Sequence, residues 1–181
     1  LEKVCGRYSG PLPEPFLLSI FRALARILCL IWNVCVHRDI SARNLLLARR
    51  QQRLVLIDFG IAFSPQDPAA DDFALPYGPA EFRAPESLSC RWGRPSDVYS
   101  AAAVVYCLAA QRPVFENPVE SELERLIQTA PPTPLADLRP DLNPDFTAVV
   151  MKCLAKRPED RWSAPELTEA LAAVSGDEPQ Q

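Results

Sequence analysis

"HRDISARNLLLA", residues 37–48, and "RLVLIDFG", residues 53–60, are the stretches whose reading decides the fold. "NLLLA" and "RLVLIDF" are short apolar runs separated by the polar "RRQQ", a pattern that predicts a β-hairpin. Oxygen-bearing side chains flank these runs: Asp39 and Asn44 at the start of the first, Asp58 at the end of the second. The short connection brings all three near one another. Carboxylate and amide oxygens are what a hard cation such as Mg²⁺ accepts alongside phosphate oxygens. Asp39 is also placed to take a proton from a hydroxyl.

Working outward, helical spacing governs the chain before the hairpin. Phe16, Leu17, Ile20, Phe21, Leu24, Ile27, Leu28 and Ile31 recur with that period, and the circumference becomes almost wholly apolar toward the end. This predicts a buried helix. After the hairpin, Pro65, Pro68, Pro76, Pro79 and Pro85 forbid a continuous helix, so 63–85 is expected to be one long loop. From Asp97 a helix follows in "DVYSAAAVVYCLAA", apolar nearly all round and therefore central, with Ser96 and Asp97 suited to its N-terminus. Three more helices are expected in "ESELERLIQTA", "PDFTAVVMKCLAKR" and "APELTEALAAV", and "SGDEPQQ" (175–181) is expected to fray. The fold class is α+β, mainly α: a helical domain presenting a small hairpin.

The bulk properties fit one domain of 181 residues with 48% hydrophobic and 23% charged residues. A net charge of -4 and only two short basic clusters, "ARRQQR" and "KRPEDR", argue against a nucleic-acid surface. Six cysteines occur without a C-x-x-C pair, and the spacing of Cys29, Cys35 and His37 fits no common zinc pattern. A reducing compartment, hence the cytoplasm, is the expectation. No apolar run approaches the roughly 18 residues that would span a membrane. The chain starts at Leu1 rather than Met, and a preceding segment is expected.

The ordered set "HRDISARN", "DFG" (58–60), "APE" (84–86), "SDVYS" (96–100) and the Arg161 of "RPEDRW" resembles the C-terminal lobe of eukaryotic-type (Hanks-type) protein kinases. The likeness runs from Leu1 to about Val174, with the activation loop at 58–86. It implies an enzyme using ATP and Mg²⁺ to phosphorylate a protein hydroxyl. Asp39 would be the catalytic base, and Asn44 and Asp58 would hold the Mg²⁺ ions that bridge the phosphates. "LEKV" looks like the hinge within residues 1–6, so the backbone of Glu2 and Val4 would meet the adenine edge. Leu46 would lie beneath the ring and Ile57 behind it. His37, Glu86, Asp97 and Arg161 would be structural: Glu86 and Arg161 as a buried ion pair, Asp97 as a brace for the catalytic loop. Arg38 would pair with a phosphate on the activation loop, at Ser64 or Tyr77, unless the acidic Asp67, Asp71 and Asp72 supply a fixed charge instead.

The chain departs from the family at several points. Ser41 stands where serine/threonine kinases carry Lys, with Arg43 nearby as a substitute positive charge, and Pro79 stands where those kinases carry Thr. Tyrosine kinases resemble it better there, whereas "DFGIA" and "CLAKRPEDRWSAPELTEAL" look like bacterial serine/threonine kinases, and Ser/Thr specificity is favoured. The Gly-rich loop, the strand Lys and the helix Glu of the N-terminal lobe have no counterpart. These residues alone are therefore expected to be inactive or nearly so. The alternative is a pseudokinase or a kinase-derived interaction module that works without catalysis.

Overall fold

The structure, a computed structural model, describes residues 10–48, 53–64, 66 and 78–174. The expected hinge with Glu2 and Val4, the acidic cluster Asp67, Asp71 and Asp72, the candidate Tyr77 and the tail 175–181 lie outside the described residues.

The first helix, α1, spans Glu14–Ile31 and buries Leu17, Leu18, Ile20, Phe21, Leu24, Ala25 and Leu28. Pro15 sits in its first turn, where the missing N–H costs nothing. Strands β1 (Leu45–Ala48) and β2 (Arg53–Leu56) then pair antiparallel, with Leu45 opposite Leu56 and Leu47 opposite Leu54. Leu45 and Leu56 point into the core while Leu46 and Val55 are 49% and 40% exposed, so the hairpin keeps one bare apolar face.

Helix α2 (Arg94–Ala110) is the centre of the domain, with thirteen of its residues buried on every side. It packs against α1, against α4 (Leu135–Leu138) and against α5 (Pro144–Cys153). It begins at Arg94, three residues before the expected start. Pro95 supplies the first-turn signal, and the Ser96 hydroxyl accepts the Gly93 N–H at 3.1 Å. Asp97 is therefore not the cap: its carboxylate is committed elsewhere. Helix α3 (Glu120–Thr129) lies at the edge, and α6 (Ala164–Ala173) closes onto α1 behind a Ser163–Glu166 capping box.

The long loop also needs correction at its far end. Ala80–Phe82 and Pro85–Ser89 each wind into a short 3-10 helix, because a proline at the N-cap (Pro79) or first position (Pro85) starts such a turn as readily as it blocks a longer one. Two arginines, the half-buried Arg22 and the buried Arg139, finish the packing by saturating carbonyls that helices leave open. Arg22 donates to Leu171 O and Val174 O at the end of α6, and Arg139 donates to Ala109 O at the end of α2 and to Leu12 O.

Candidate active site

The loop at 37–44 hangs from the central helix. Asp97, on the first turn of α2, accepts the backbone N–H of His37 at 2.7 Å and of Arg38 at 3.0 Å. Arg38 can present its N–H this way because it adopts a left-handed backbone, φ 67°. That conformation costs a non-glycine residue on the order of 1–3 kcal/mol, which the two charge-assisted bonds offset. Burial pushes the Asp97 carboxyl up to about 7, against the pull of the two N–H donors and the Arg38 guanidinium.

That shift has a sign. A carboxyl whose pKa is raised on folding favours the folded state most at low pH, and this contribution declines as pH rises from about 4 to about 7. Protonation would meanwhile turn one acceptor into a hydroxyl and release one of the loop N–H groups. Asp97→Asn, which does not titrate, is expected to flatten the dependence of melting temperature on pH across that window. It should also cost roughly 1–3 kcal/mol at pH 8, since an amide N–H would face a backbone N–H. Thermal melts of both forms between pH 4 and 8 check this.

His37 is wholly buried and bridges the loop to the hairpin. Its Nε2 lies 3.2 Å from Ile57 O, and its Nδ1 accepts the Asp39 N–H at 3.3 Å, so the neutral tautomer protonated at Nε2 satisfies both partners. Burial lowers its pKa, against opposing pulls from the Ile57 carbonyl and the Asp39 and Asp58 carboxylates. The Phe59 ring meets the imidazole edge-on at 4.6 Å.

Asp39 and Asn44 are joined by hydrogen bonds. Asn44 Nδ2 donates to the Asp39 backbone oxygen at 2.9 Å and to Asp39 Oδ2 at 2.7 Å. With both amide protons committed, the Asn44 side-chain oxygen is turned away from Asp39. The other carboxylate oxygen, Asp39 Oδ1, is buried and has no hydrogen-bond partner. Asp58 follows from β2 through Ile57, whose N–H is bonded to Asn44 O at 2.9 Å, and Asp58 itself is left-handed at φ 66°. Its Oδ1 accepts the Gly60 N–H at 3.3 Å. The Asn44 and Asp58 oxygens are a hard donor set suited to Mg²⁺ that arrives with phosphates. Among the described residues no group of three His, Cys, Asp or Glu forms an all-protein cage.

Other expected residues take these places. Arg38 is 3% exposed, donates through Nε to Ile61 O at 2.6 Å and lies 4.8 Å over the Phe63 ring. Ser64 is bonded to Gln66 Oε1 at 2.6 Å. Arg43 is exposed, and Ser41 is buried with its hydroxyl unpartnered. Leu46 and Ile57 are part of the bare hairpin face. Glu86 and Arg161 meet bidentately, Nη1 to Oε1 at 2.7 Å and Nη2 to Oε2 at 2.8 Å.

Sequence reasoning overlooked Gly78, Arg83 and Ser100. Gly78 is left-handed at φ 79°, and a Cβ there would stand 2.7 Å from Asp39 Oδ1. Arg83 Nε holds Gly78 O at 2.8 Å, and the Ser100 hydroxyl holds Phe82 O at 2.8 Å. With Asp39 these residues line a crevice too tight for a water molecule. The glycine in "GPAEFRAPE" was the one signal available. Gly78→Ala is expected to displace Asp39, on top of a left-handed backbone cost of order 1–3 kcal/mol, and under the activity that the sequence resemblance implies it should lower phosphate transfer at least tenfold. Steady-state rates compared with a thermal melt separate the two effects.

The comparisons agree on a family. Residues 8–171 match the protein kinase domain. Serine/threonine-protein kinase PknH of Mycobacterium tuberculosis is 32% identical over 177 residues, covering 96% of this chain and 28% of that protein. Serine/threonine-protein kinase PknF of the same species is 31% identical over 163 residues, 86% of this chain and 34% of that protein. Serine/threonine-protein kinase PkaA of Streptomyces coelicolor is 36% identical over 147 residues, 77% of this chain and 26% of that protein. The chain thus spans about a third or less of the curated relatives it matches.

Proposed function

The chain belongs to the protein kinase family, and on that premise we propose that it is the C-terminal lobe of an ATP- and Mg²⁺-dependent serine/threonine protein kinase. One observation carries this reading: Asp39 Oδ1 is a buried carboxylate oxygen with no donor, while its twin is pinned by Asn44 at 2.7 Å. An acceptor without a donor suits a hydroxyl proton, which it would meet once the Gly78 segment that covers it gives way.

In this reading the substrate hydroxyl donates to Asp39 Oδ1, and the proton passes there as the oxygen attacks the γ-phosphorus of ATP and the bond from that phosphorus to the β,γ-bridging oxygen breaks, releasing ADP. Asn44 keeps the carboxylate from rotating away. Asn44 and Asp58 would hold Mg²⁺, which when bound supplies charge neutralisation on the phosphates. Leu46 and Ile57 would offer the adenine an apolar floor, and Glu2 and Val4 would meet its edge. Arg38 would order the activation loop when Ser64 or Tyr77 carries a phosphate, and Arg43 would stand in for the Lys that Ser41 replaces. The names of the relatives favour a Ser/Thr acceptor. A cytoplasmic placement goes with this reading; among the described residues no helix is long and apolar enough to cross a membrane.

These residues supply no Gly-rich loop and no Lys–Glu pair. On their own they are expected to transfer phosphate poorly, because the protein would contribute little cation to the phosphates. The second reading, a non-catalytic pseudokinase or interaction module, is favoured by Ser41, whose buried, unpartnered hydroxyl carries no charge where serine/threonine kinases carry Lys. The deciding experiment uses the whole gene product with radiolabelled ATP, Mg²⁺ and a generic basic protein substrate. Label on Ser or Thr supports the kinase; nucleotide binding without transfer supports the second reading.

A further inference from the structure

We propose that a cleft beside the segment leading into the 37–44 loop binds a small aromatic carboxylate. It measures about 490 Å³ and lies between the end of α1, the Val36–Phe63 pairing and the residues that open α2. Ligand cavities run from roughly 300 to 1,000 Å³, so a one- or two-ring molecule fits.

Its lining favours an anion with a flat body. Trp32, Phe63 and Trp92 contribute aromatic surface, with Val36 and Pro95 between them, and the one charged lining residue is Arg94. The Arg94 guanidinium sits 5.7 Å over the Trp32 ring and makes no ion pair or hydrogen bond among the described residues. Arg94 Nε and Trp92 Nε1 are both buried donors without an acceptor. Orphaned donors are costly, and both belong to side chains that line this cleft, so each gains by turning toward an acceptor placed there. A carboxylate brings two oxygens and a charge opposite to the guanidinium, while its ring can lie against the aromatic walls. A neutral apolar guest would leave both donors unmet, and a cation would be repelled by Arg94.

The position gives occupancy a route to the catalytic loop. Val36 N–H donates to Phe63 O at 2.8 Å and Phe63 N–H returns to Val36 O at 3.1 Å. Val36 precedes His37 directly, and Phe63 carries Arg38 on its ring at 4.8 Å. The binding itself does not depend on phosphate transfer, so it stands or falls apart from the kinase reading.

Calorimetric titration of the full chain with 1-naphthoate, and with neutral 1-naphthalenemethanol, is the test. The expected result is saturable one-to-one binding of the acid, with the alcohol at least roughly tenfold weaker. Arg94→Gln should remove that difference by weakening the acid alone, and Trp92→Phe should weaken the acid several-fold while keeping an aromatic wall. Thermal melts identify any variant that has lost its fold, and the remaining variant and the acid-to-alcohol ratio then decide. Absence of saturation by about 1 mM acid, equal affinity for acid and alcohol, or unchanged acid binding in a folded Arg94→Gln or Trp92→Phe protein would overturn the proposal.

Discussion

If the proposed kinase reading holds, Asp39→Asn in the whole gene product is expected to lower kcat by roughly 10²–10⁴-fold, the usual contribution of a positioned general base, with little change in KM for ATP. The geometry explains why this conservative change is so costly. Asn44 Nδ2 needs an oxygen at the Oδ2 position, 2.7 Å away, so the new amide must keep its oxygen there. Its NH₂ group then occupies the position of Oδ1, the unpartnered oxygen beside Gly78. An acceptor becomes a donor at the point where the hydroxyl proton must go. Because Asn44 retains its partner, the melting temperature should move by no more than a few degrees. A variant that kept a tenth or more of the wild-type kcat would remove Asp39 from the base role.

Arg161→Ala should have the largest effect on stability. Arg161 has a fully buried side chain that donates to both oxygens of Glu86, to Ala155 O at 2.8 Å, to Pro95 O at 2.9 Å and to Lys156 O at 3.1 Å, and it lies 4.9 Å over the Tyr99 ring. Removing it strands a largely buried carboxylate and three carbonyls at once. Breaking a buried pair from one side costs about 3–5 kcal/mol. For a domain of this size that lowers the melting temperature by roughly 6–20 °C. Replacing both partners, Glu86→Gln with Arg161→Met, should recover part of the loss, because no ion is left buried. Scanning calorimetry of the two singles and the double measures the coupling directly.

How much of this was legible in the sequence depends on the range of the forces involved. The apolar spacing from Phe16 to Ile31 and the two runs flanking "RRQQ" are local patterns, and they appear as α1 and the hairpin. The early start of α2 was also legible, in Pro95, but the two hydroxyl- and carboxylate-bearing residues after it drew attention first. Asp97 looks like a cap in one dimension and holds a loop sixty residues away in three. Arg139 and Arg22 were beyond reach, since the carbonyls they satisfy lie 30 to 152 residues distant and nothing in the neighbouring sequence announces them. The left-handed backbone at Arg38 and Asp58 was equally hidden: neither residue type requires φ above zero, and tertiary bonds impose it. For the site itself, motif order singled out Asp39, Asn44 and Asp58 as candidates, whereas the closeness of Gly78 to Asp39 is a fact of folding alone.

The suspension of the catalytic loop from Asp97 has a consequence for how the protein responds to heat. Loops commonly open on their own, well below the free energy needed to unfold the domain. Here the His37 and Arg38 amides are clasped by a residue on the most deeply buried helix, so above the pH at which Asp97 ionises, releasing them requires α2 to let go. Their deuterium uptake is expected to be about as slow as that of amides inside α2, far slower than that of residues 61–64 a short distance away. As temperature rises, catalytic geometry and global structure should then disappear together in one transition, with no folded but inactive state in between.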